Sequence, residues 1–555
     1  MWSLFHPLGD LLLPAVAVIL ALLSDKLWLI QRRPATPVVD RIAAHPVASY
    51  LLIGFLSFVG SAAVSTWRFP EPQIHDEFSY LLAADTFASG RLTNPSHPKW
   101  KHFETFHILQ KPTYASRYPP AQGFVLAVGQ VLGGHPVVGV WLGAALGSVA
   151  ICWMLVAWLP PRWALYGSLL AVLRIGVAGY WSQSYFGGWM GVLGGALLLG
   201  ALRRVVERPQ VVHSAVLALG LAILANSRPF EGLILALPCA FVLVVFLTRC
   251  YLQGERGNLR LVLLPVGLVL VLNLVWMGMY NQTVTGDPLK MPHQLYSETY
   301  MTVPYLLSLP AEPRPAYRHP EMARFHSSWE QSVYEKRLSP EGWFEAKWRD
   351  QKALWKVYLG VALSIPLLFL PWSRPDPWMG FALFSLALYV AVSFFITWSL
   401  PHYSAPFAPL VFFLTGRGLQ AAADSDRWHG FGRILPRVLL ISSLGALVFG
   451  LLDPQDLWPP PNPGWHLRRV QILDELEVRG GKHLVIVRYR RDHPRHDEHQ
   501  EWVFNQSDID SAAVVWARDR TRAQNRRLMK HFEDRQVWLL EPDVAEPRLQ
   551  PYKDR

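Results

Sequence analysis

Cysteine is nearly absent from this chain: three residues in 555, Cys152, Cys239 and Cys250, each in or at the end of an apolar run. No CxxC or Cys/His zinc spacing occurs and no cysteine lies in a polar loop, which excludes a disulfide framework. In apolar runs Cys acts as a small hydrophobe. Charge is scarce too, at 17% of residues against roughly 25% in soluble domains. There is no glycine-rich phosphate loop and no repeat of fixed period. The N-terminus lacks the basic start and small-residue cleavage site of a signal peptide, so 11–30 is expected to be a retained helix.

What is present is apolar: 51% hydrophobic residues, 24 Trp and a mean hydropathy of +0.19. Runs of about twenty apolar residues match a helix crossing a core of roughly 30 Å. Such runs fall at 8–30, 47–67, 136–159, 163–181, 186–202, 211–227, 229–250, 259–281, 353–371, 377–399, 403–420 and 434–452, with a shorter candidate at 119–134. The formal charge of +11 is explained by Lys and Arg kept in cytoplasmic loops and facing anionic lipid, not by nucleic acid. The cationic links at Gln31-Arg32-Arg33, Arg203-Arg204, Arg249 to Arg260, Arg374 and Arg427 to Arg437 are assigned to the cytoplasm. The polar segments 68–118 and 282–352 and everything after Leu452 then lie outside. An odd number of crossings is required between Arg117 and Arg203, yet four candidates are present.

Three polar regions stand out. Residues 68–118 carry the adjacent acids Asp76 and Glu77 at their start, histidines at 75, 97, 102 and 107, and the cations Lys111 and Arg117 before Tyr118-Pro119-Pro120. Residues 282–352 are rich in Pro, Tyr, Trp, His and Arg, and Trp343, Phe344 and Trp348 suit a helix lying in the membrane interface. After a Pro-rich linker at 453–464, residues 465–555 alternate helix (466–478, 523–534) and strand (483–489, 512–517, 536–540), which predicts a small α/β domain.

Adjacent acids point in different directions, so one of Asp76 and Glu77 faces a cavity and the other supports the fold. A carboxylate at the membrane boundary can take a proton from an attacking hydroxyl or amine; the alternative is a solvated pair or a helix cap. Arg117 and Lys111 suit a lipid phosphate, or simply snorkel. His97, His102 and His107 with Glu104 are spaced too irregularly for one helical metal face. Arg174 lies mid-span. Asn226, Arg228 and Glu231 around Pro229, and His402-Tyr403, complete an outward-facing polar cavity.

An N-terminal span, an acidic pair opening the first external loop, and a basic residue with Pro-Pro opening the next helix: this pattern resembles the GT-C glycosyltransferases, among them protein O-mannosyltransferases and the lipid A aminoarabinose transferase. The likeness is best over 50–240, with looser support from His402-Tyr403, Pro406 and Pro409. It implies a polytopic α-helical membrane protein with a GT-C-like fold of about 11–13 transmembrane helices over 1–452, plus the small C-terminal α/β domain. It also implies inverting transfer of a sugar from a polyprenyl-phosphate donor to a protein, lipid or polysaccharide acceptor, at the outer face of a cell's inner membrane. Asp76 is then the general base with Glu77 supporting it. Arg117, Lys111, Tyr118, His402, Tyr403 and Arg228 face the lipid phosphate and donor. The sequence departs from the family in its extra span at 8–30 and in lacking a clear second acidic motif for a divalent ion, so no cofactor is assigned. The rival readings are a transporter or lipid flippase, with repeats and broken helices at mid-membrane, and a non-catalytic scaffold.

Overall fold

Proline sets where the helices begin. Pro46, Pro136, Pro161 and Pro229 each open a helix at its first turn, where the missing N–H costs nothing and the fixed φ is already helical. The structure, a computed structural model, describes residues 37–425, 429–451, 464–490, 500–544 and 547–553. The expected span at 8–30, the link at 31–33, Arg427 and nearly all of the 453–464 linker lie outside these residues.

Among the described residues, six helices are long and apolar enough to cross a membrane: Pro46–Trp67, Pro136–Trp158, Gly188–Glu207, Pro229–Leu252, Arg256–Thr285 and Phe431–Leu451. Shorter apolar helices lie at Pro120–Gly133, Val211–Ala225 and Pro377–Ser393. The chain is thus a multi-pass helical membrane protein with a small sheet-containing unit near its C-terminal end. Serines line the crossing of Pro46–Trp67 with Pro136–Trp158, where small residues let helices approach. Ser148 donates to Ser57 (3.1 Å), and the Trp141 indole donates to Ser65 (2.9 Å).

The four candidates between Arg117 and Arg203 differ in length and in what they touch. Helix Pro120–Gly133 follows directly on Tyr118, and its far end returns to the same side, with Gln130 donating to Asp85 at 3.3 Å. At 14 residues it spans about 21 Å, too short for the core, and it does not cross. The helix after it starts beside Phe69 through His135 and ends where Arg204 donates to the Trp153 carbonyl. Between Arg117 and Arg203 the helices long enough to cross are then Pro136–Trp158 and Gly188–Glu207.

Two expected spans are broken. The 163–181 run is helical over Pro161–Ala171, widens to a π turn over Val172–Gly176, and then leaves helical geometry. Side chains replace the lost ladder there: Ser182 donates to the Ile175 carbonyl and Gln183 to that of Val177. The 353–371 run bends by 88° between Pro340–Tyr358 and Gly360–Trp372. Gly360 makes the bend at φ +57°, and a Cβ there would come within 2.7 Å of Arg174. Arg174 itself donates to the carbonyls of Lys356 and Val357, a cation at a helix C-terminus.

The C-terminal unit holds helices Trp465–Arg479 and Arg522–His531 and a four-stranded sheet. Strand His483–Val487 is central and parallel to both Val514–Arg518 and Gln536–Leu540; Gln550–Pro551 adds an antiparallel edge. One face packs on helix His75–Ala88. Phe78 stacks on Phe504 at 4.1 Å, and Phe78 and Leu82 share a core with Leu484, Ile486 and Val515. Both polar segments and this unit meet on one side of the helix array. Buried Arg518 ties all three: it donates to the Glu104 carbonyl (2.6 Å), pairs with Glu321 (3.3 Å) and pairs with Glu501.

Arg518→Leu leaves Glu321 and Glu501 buried without their cation. Such a loss costs about 3–5 kcal/mol, so the C-terminal unit is expected to undock and become the first site of cleavage in limited proteolysis.

Candidate active site

Helix His75–Ala88 begins just after the first long span, and its first turn carries both acids. Their side chains part at once. Glu77 turns inward, 1% exposed, and accepts the main-chain N–H groups of Gln73 (2.9 Å), Ile74 (3.3 Å) and Tyr185 (3.1 Å). It closes its own helix N-terminus and pins it to the loop before helix Gly188–Glu207. Burial pushes its carboxyl up to about 7 against the pull of these N–H groups, with Asp76 adding to the rise.

Asp76 turns the other way, its side chain 17% exposed. Tyr118 donates its hydroxyl to Oδ1 at 2.5 Å, and His107 Nδ1 lies 3.3 Å from Oδ2. Burial alone would raise this carboxyl, but His107, the Arg117 charge and the Tyr118 hydroxyl together hold it well below the usual range. Asp76 is therefore an anion with two of about four lone-pair sites taken. His107 is buried near Arg117, which lowers its imidazole to about 4 even with Asp76 opposing. It faces Asp76 as a neutral donor.

Arg117 is sandwiched, with Cζ 5.0 Å from the Tyr118 ring and 4.9 Å from Tyr296, and it donates to the Tyr118 hydroxyl at 3.0 Å. Arg228 lies 4.5 Å over the Tyr403 ring. Gly195 lets helix Gly188–Glu207 come close to the turn after Tyr403, since a Cβ there would sit 2.1 Å from the Pro406 carbonyl. The charges of Arg228, Asp76 and Arg117 all act on buried Tyr80, whose phenol burial raises to about 12. Tyr80 in turn stacks on Tyr118 at 4.5 Å. Among the described residues, Arg117 Nε and Arg228 Nε are buried donors that no protein atom accepts. Arginine donors left open beside an aromatic wall suit an anion such as phosphate. His402 is one step further out, hydrogen-bonded through its ring and its main-chain N–H to Tyr180.

Asp76, Arg117, Tyr118, Arg228 and Tyr403 thus come together, with Glu77 and His402 behind them. Lys111 does not join them. It is exposed beside the turn between two short strands, its Nζ 5.9 Å from the Trp100 ring, where Lys101 and Arg318 also gather. The histidines and Glu104 separate as well. His102 bonds the Arg518 carbonyl, and Glu104 takes Tyr300, Arg318 and His319. His97 meets Asp510 and His531 of the C-terminal unit, a trio whose ligand atoms lie within 4.8 Å of one another. The Lys99 N–H donates to His97 Nδ1 (2.9 Å), so Nε2 carries the proton and gives it to Asp510. The trio is a hydrogen-bonded clasp. Two residues outside the expected set face the cluster: His107, and His293 of helix Pro292–Tyr300, which burial with Arg117, His107 and Arg228 lowers to about 3. Neither has a neighbour in sequence that signals its role.

No family model matches the sequence, and no curated protein matches it. Among solved structures the chain is similar to the Archaeoglobus fulgidus oligosaccharyltransferase in complex with Zn and sulfate (12% identity, TM-score 0.45), covering 79% of this chain and 60% of that one. It is also similar to archaeal oligosaccharyltransferase AglB from the same organism, in complex with an inhibitory peptide and a dolichol-phosphate (9%, 0.45, 89% and 69%). A third likeness is to ArnT from Cupriavidus metallidurans in the apo state (14%, 0.45, 91% and 93%). The chain spans about 60% of the length of the first of these.

The lowered His107 has a sign that can be measured. Between its ordinary 6.5 and about 4 the unfolded chain holds a proton there that the folded chain does not. Its contribution to stability is thus present above 6.5 and is lost as pH falls toward 4. His107→Asn, which tolerates the same backbone, removes that term. On acidification from pH 7 to 4 the variant is expected to lose less stability than wild type, by about 3 kcal/mol, read from unfolding in detergent.

Proposed function

We propose that this protein is a membrane glycosyltransferase that moves a sugar from a polyprenyl-phosphate donor to a hydroxyl or amine acceptor at the outer face of the inner membrane, with inversion at the sugar carbon. One observation carries the reading. An ionised carboxylate and two arginines with open donors share one tyrosine-lined cluster, at the edge where polar segments meet the helix array.

The cluster's residues divide the work. The lipid tail stays in the bilayer while Arg117 and Arg228 hold the phosphate by charge and by N–H donors. Tyr118, Tyr403 and Tyr80 fix those guanidinium planes. The acceptor enters against Asp76 and takes one of its free lone-pair sites. As the acceptor oxygen or nitrogen bonds to the sugar carbon, the bond from that carbon to the phosphate oxygen breaks, and its electron pair leaves on polyprenyl phosphate. The acceptor proton passes to Asp76 and from there to water or the departing phosphate. A carboxylate held so far below its usual range is a weak base, so proton transfer falls late, once bond formation has made the acceptor proton acidic. The arginines meet the charge that develops on the leaving group. Glu77 supports Asp76 by fixing the first helical turn, and no divalent ion is needed for this division. Arg174, the residue most compatible with a transporter, caps main-chain carbonyls instead.

Asp76→Asn keeps the shape and removes the base. The variant is expected to express and fold as wild type while transfer falls by about 10²–10⁴-fold. Lipid and glycan profiles of cells carrying wild type, Asp76→Asn or a deletion read this directly. One polyprenyl-phosphate sugar accumulates, or one glycan disappears, in both defective strains. A normally expressed Asp76→Asn that matches wild type overturns the assignment.

A further inference from the structure

A chain of buried hydrogen bonds runs from the second polar segment to the back of His107. The His107 N–H donates to the Tyr296 hydroxyl at 2.9 Å, that hydroxyl lies 3.1 Å from His326 Nε2, and His326 Nδ1 lies 2.7 Å from Glu330 Oε2. The Tyr296 oxygen accepts from a main-chain N–H, and at the far end the Glu330 carboxylate can only accept, so a neutral His326 offers Nε2 to the Tyr296 proton. His326 must then carry its proton on Nδ1 and give it to Glu330. Tyr296 and His326 are fully buried and Glu330 is 5% exposed, so water does not compete for these bonds.

At the other end, His107 stands in the left-handed region, φ +60°, which costs a non-glycine residue roughly 1–2 kcal/mol. Strained backbone of this kind persists where the surroundings over-determine it. Here the surroundings are the Tyr296 hydroxyl on the N–H, and Ser79 Oγ (2.7 Å) and the Arg117 N–H (3.2 Å) on the carbonyl. That conformation aims the imidazole at Asp76. The Tyr296 ring also forms one wall of the Arg117 sandwich. His326 lies in a π turn, Arg324–Trp329, whose geometry recurs at functional sites.

We propose that Tyr296, His326 and Glu330 are positioning residues. Through the His107 main chain they hold the imidazole on Asp76, so that the transferase site is complete only while the second polar segment is docked on the first. The catalytic half of this rests on the transferase reading; the mechanical half does not.

Tyr296→Phe is the cleanest probe, because it keeps the ring against Arg117 and removes only the hydroxyl. In full-length protein in detergent, hydrogen exchange of the 104–118 segment is expected to quicken by about tenfold, with strand 483–487 unchanged. Undecaprenyl phosphate, used as the binding probe, keeps its affinity within twofold. Product formation in cells falls by tenfold or more. Glu330→Gln still accepts from His326 and retains wild-type exchange and product, whereas Glu330→Leu follows Tyr296→Phe. A purely structural role would instead move Gln and Leu alike, or lower the amount of folded protein and probe affinity together. Unchanged exchange at 104–118 in Tyr296→Phe overturns the inference outright. Lost protection with full product, while Asp76→Asn is dead, overturns its catalytic half. If Asp76→Asn proves fully active, the transferase reading fails on its own, and the exchange result still decides the coupling.

Discussion

Asp76 can stay ionised in its buried setting only because two donors and a nearby positive charge converge on it. A carboxylate taken from water is costly unless it is paired and hydrogen-bonded. Tyr118, His107 and the Arg117 charge supply this, and each of them needs its own support. Tyr118 is stacked by Tyr80, Arg117 is enclosed by two rings, and His107 is held by a strained backbone with hydrogen bonds at both ends. The demand therefore spreads outward from one side chain until it reaches the second polar segment and the far face of the Asp76 helix. Glu77 is the counterpart, buried to fix where that helix starts and how it faces.

The acids and Arg117 were legible in the sequence because one helix turn and one Tyr-Pro-Pro corner set their positions. The α/β unit was legible from local alternation, and its central strand and parallel pairs follow that pattern. His107 as the partner of Asp76 was not. Its role depends on a positive φ and on Tyr296, 189 residues away, and neither leaves a local pattern. Lys111 misled because closeness to Arg117 along the chain says nothing about direction; a turn points it at Trp100. The apolar run at 119–134 read as a half-span because hydropathy does not distinguish burial in lipid from burial against another helix. Here it lies along helix His75–Ala88.

The same reasoning explains why the metal reading of the first segment dissolves. Histidines close in sequence are drawn to different partners: one to the Asp76 carboxylate, one to a main-chain carbonyl at Arg518, one to a carboxylate in the C-terminal unit. Each is spent on joining two parts of the fold. What looked like one local cluster is a set of seams.

The wall behind the Asp76 helix has a consequence for biogenesis. Phe78 is covered by Phe504, Arg91 by Ser507 and His97 by Asp510, and the last two pairs are 416 and 413 residues apart. The first polar segment leaves the ribosome long before these partners exist. Until the last strands arrive, an apolar face next to the candidate site is open to chaperones and proteases. Order of synthesis thus makes the site one of the last parts of the molecule to be finished, and a chain stopped short of residue 500 would display its defect outside the membrane.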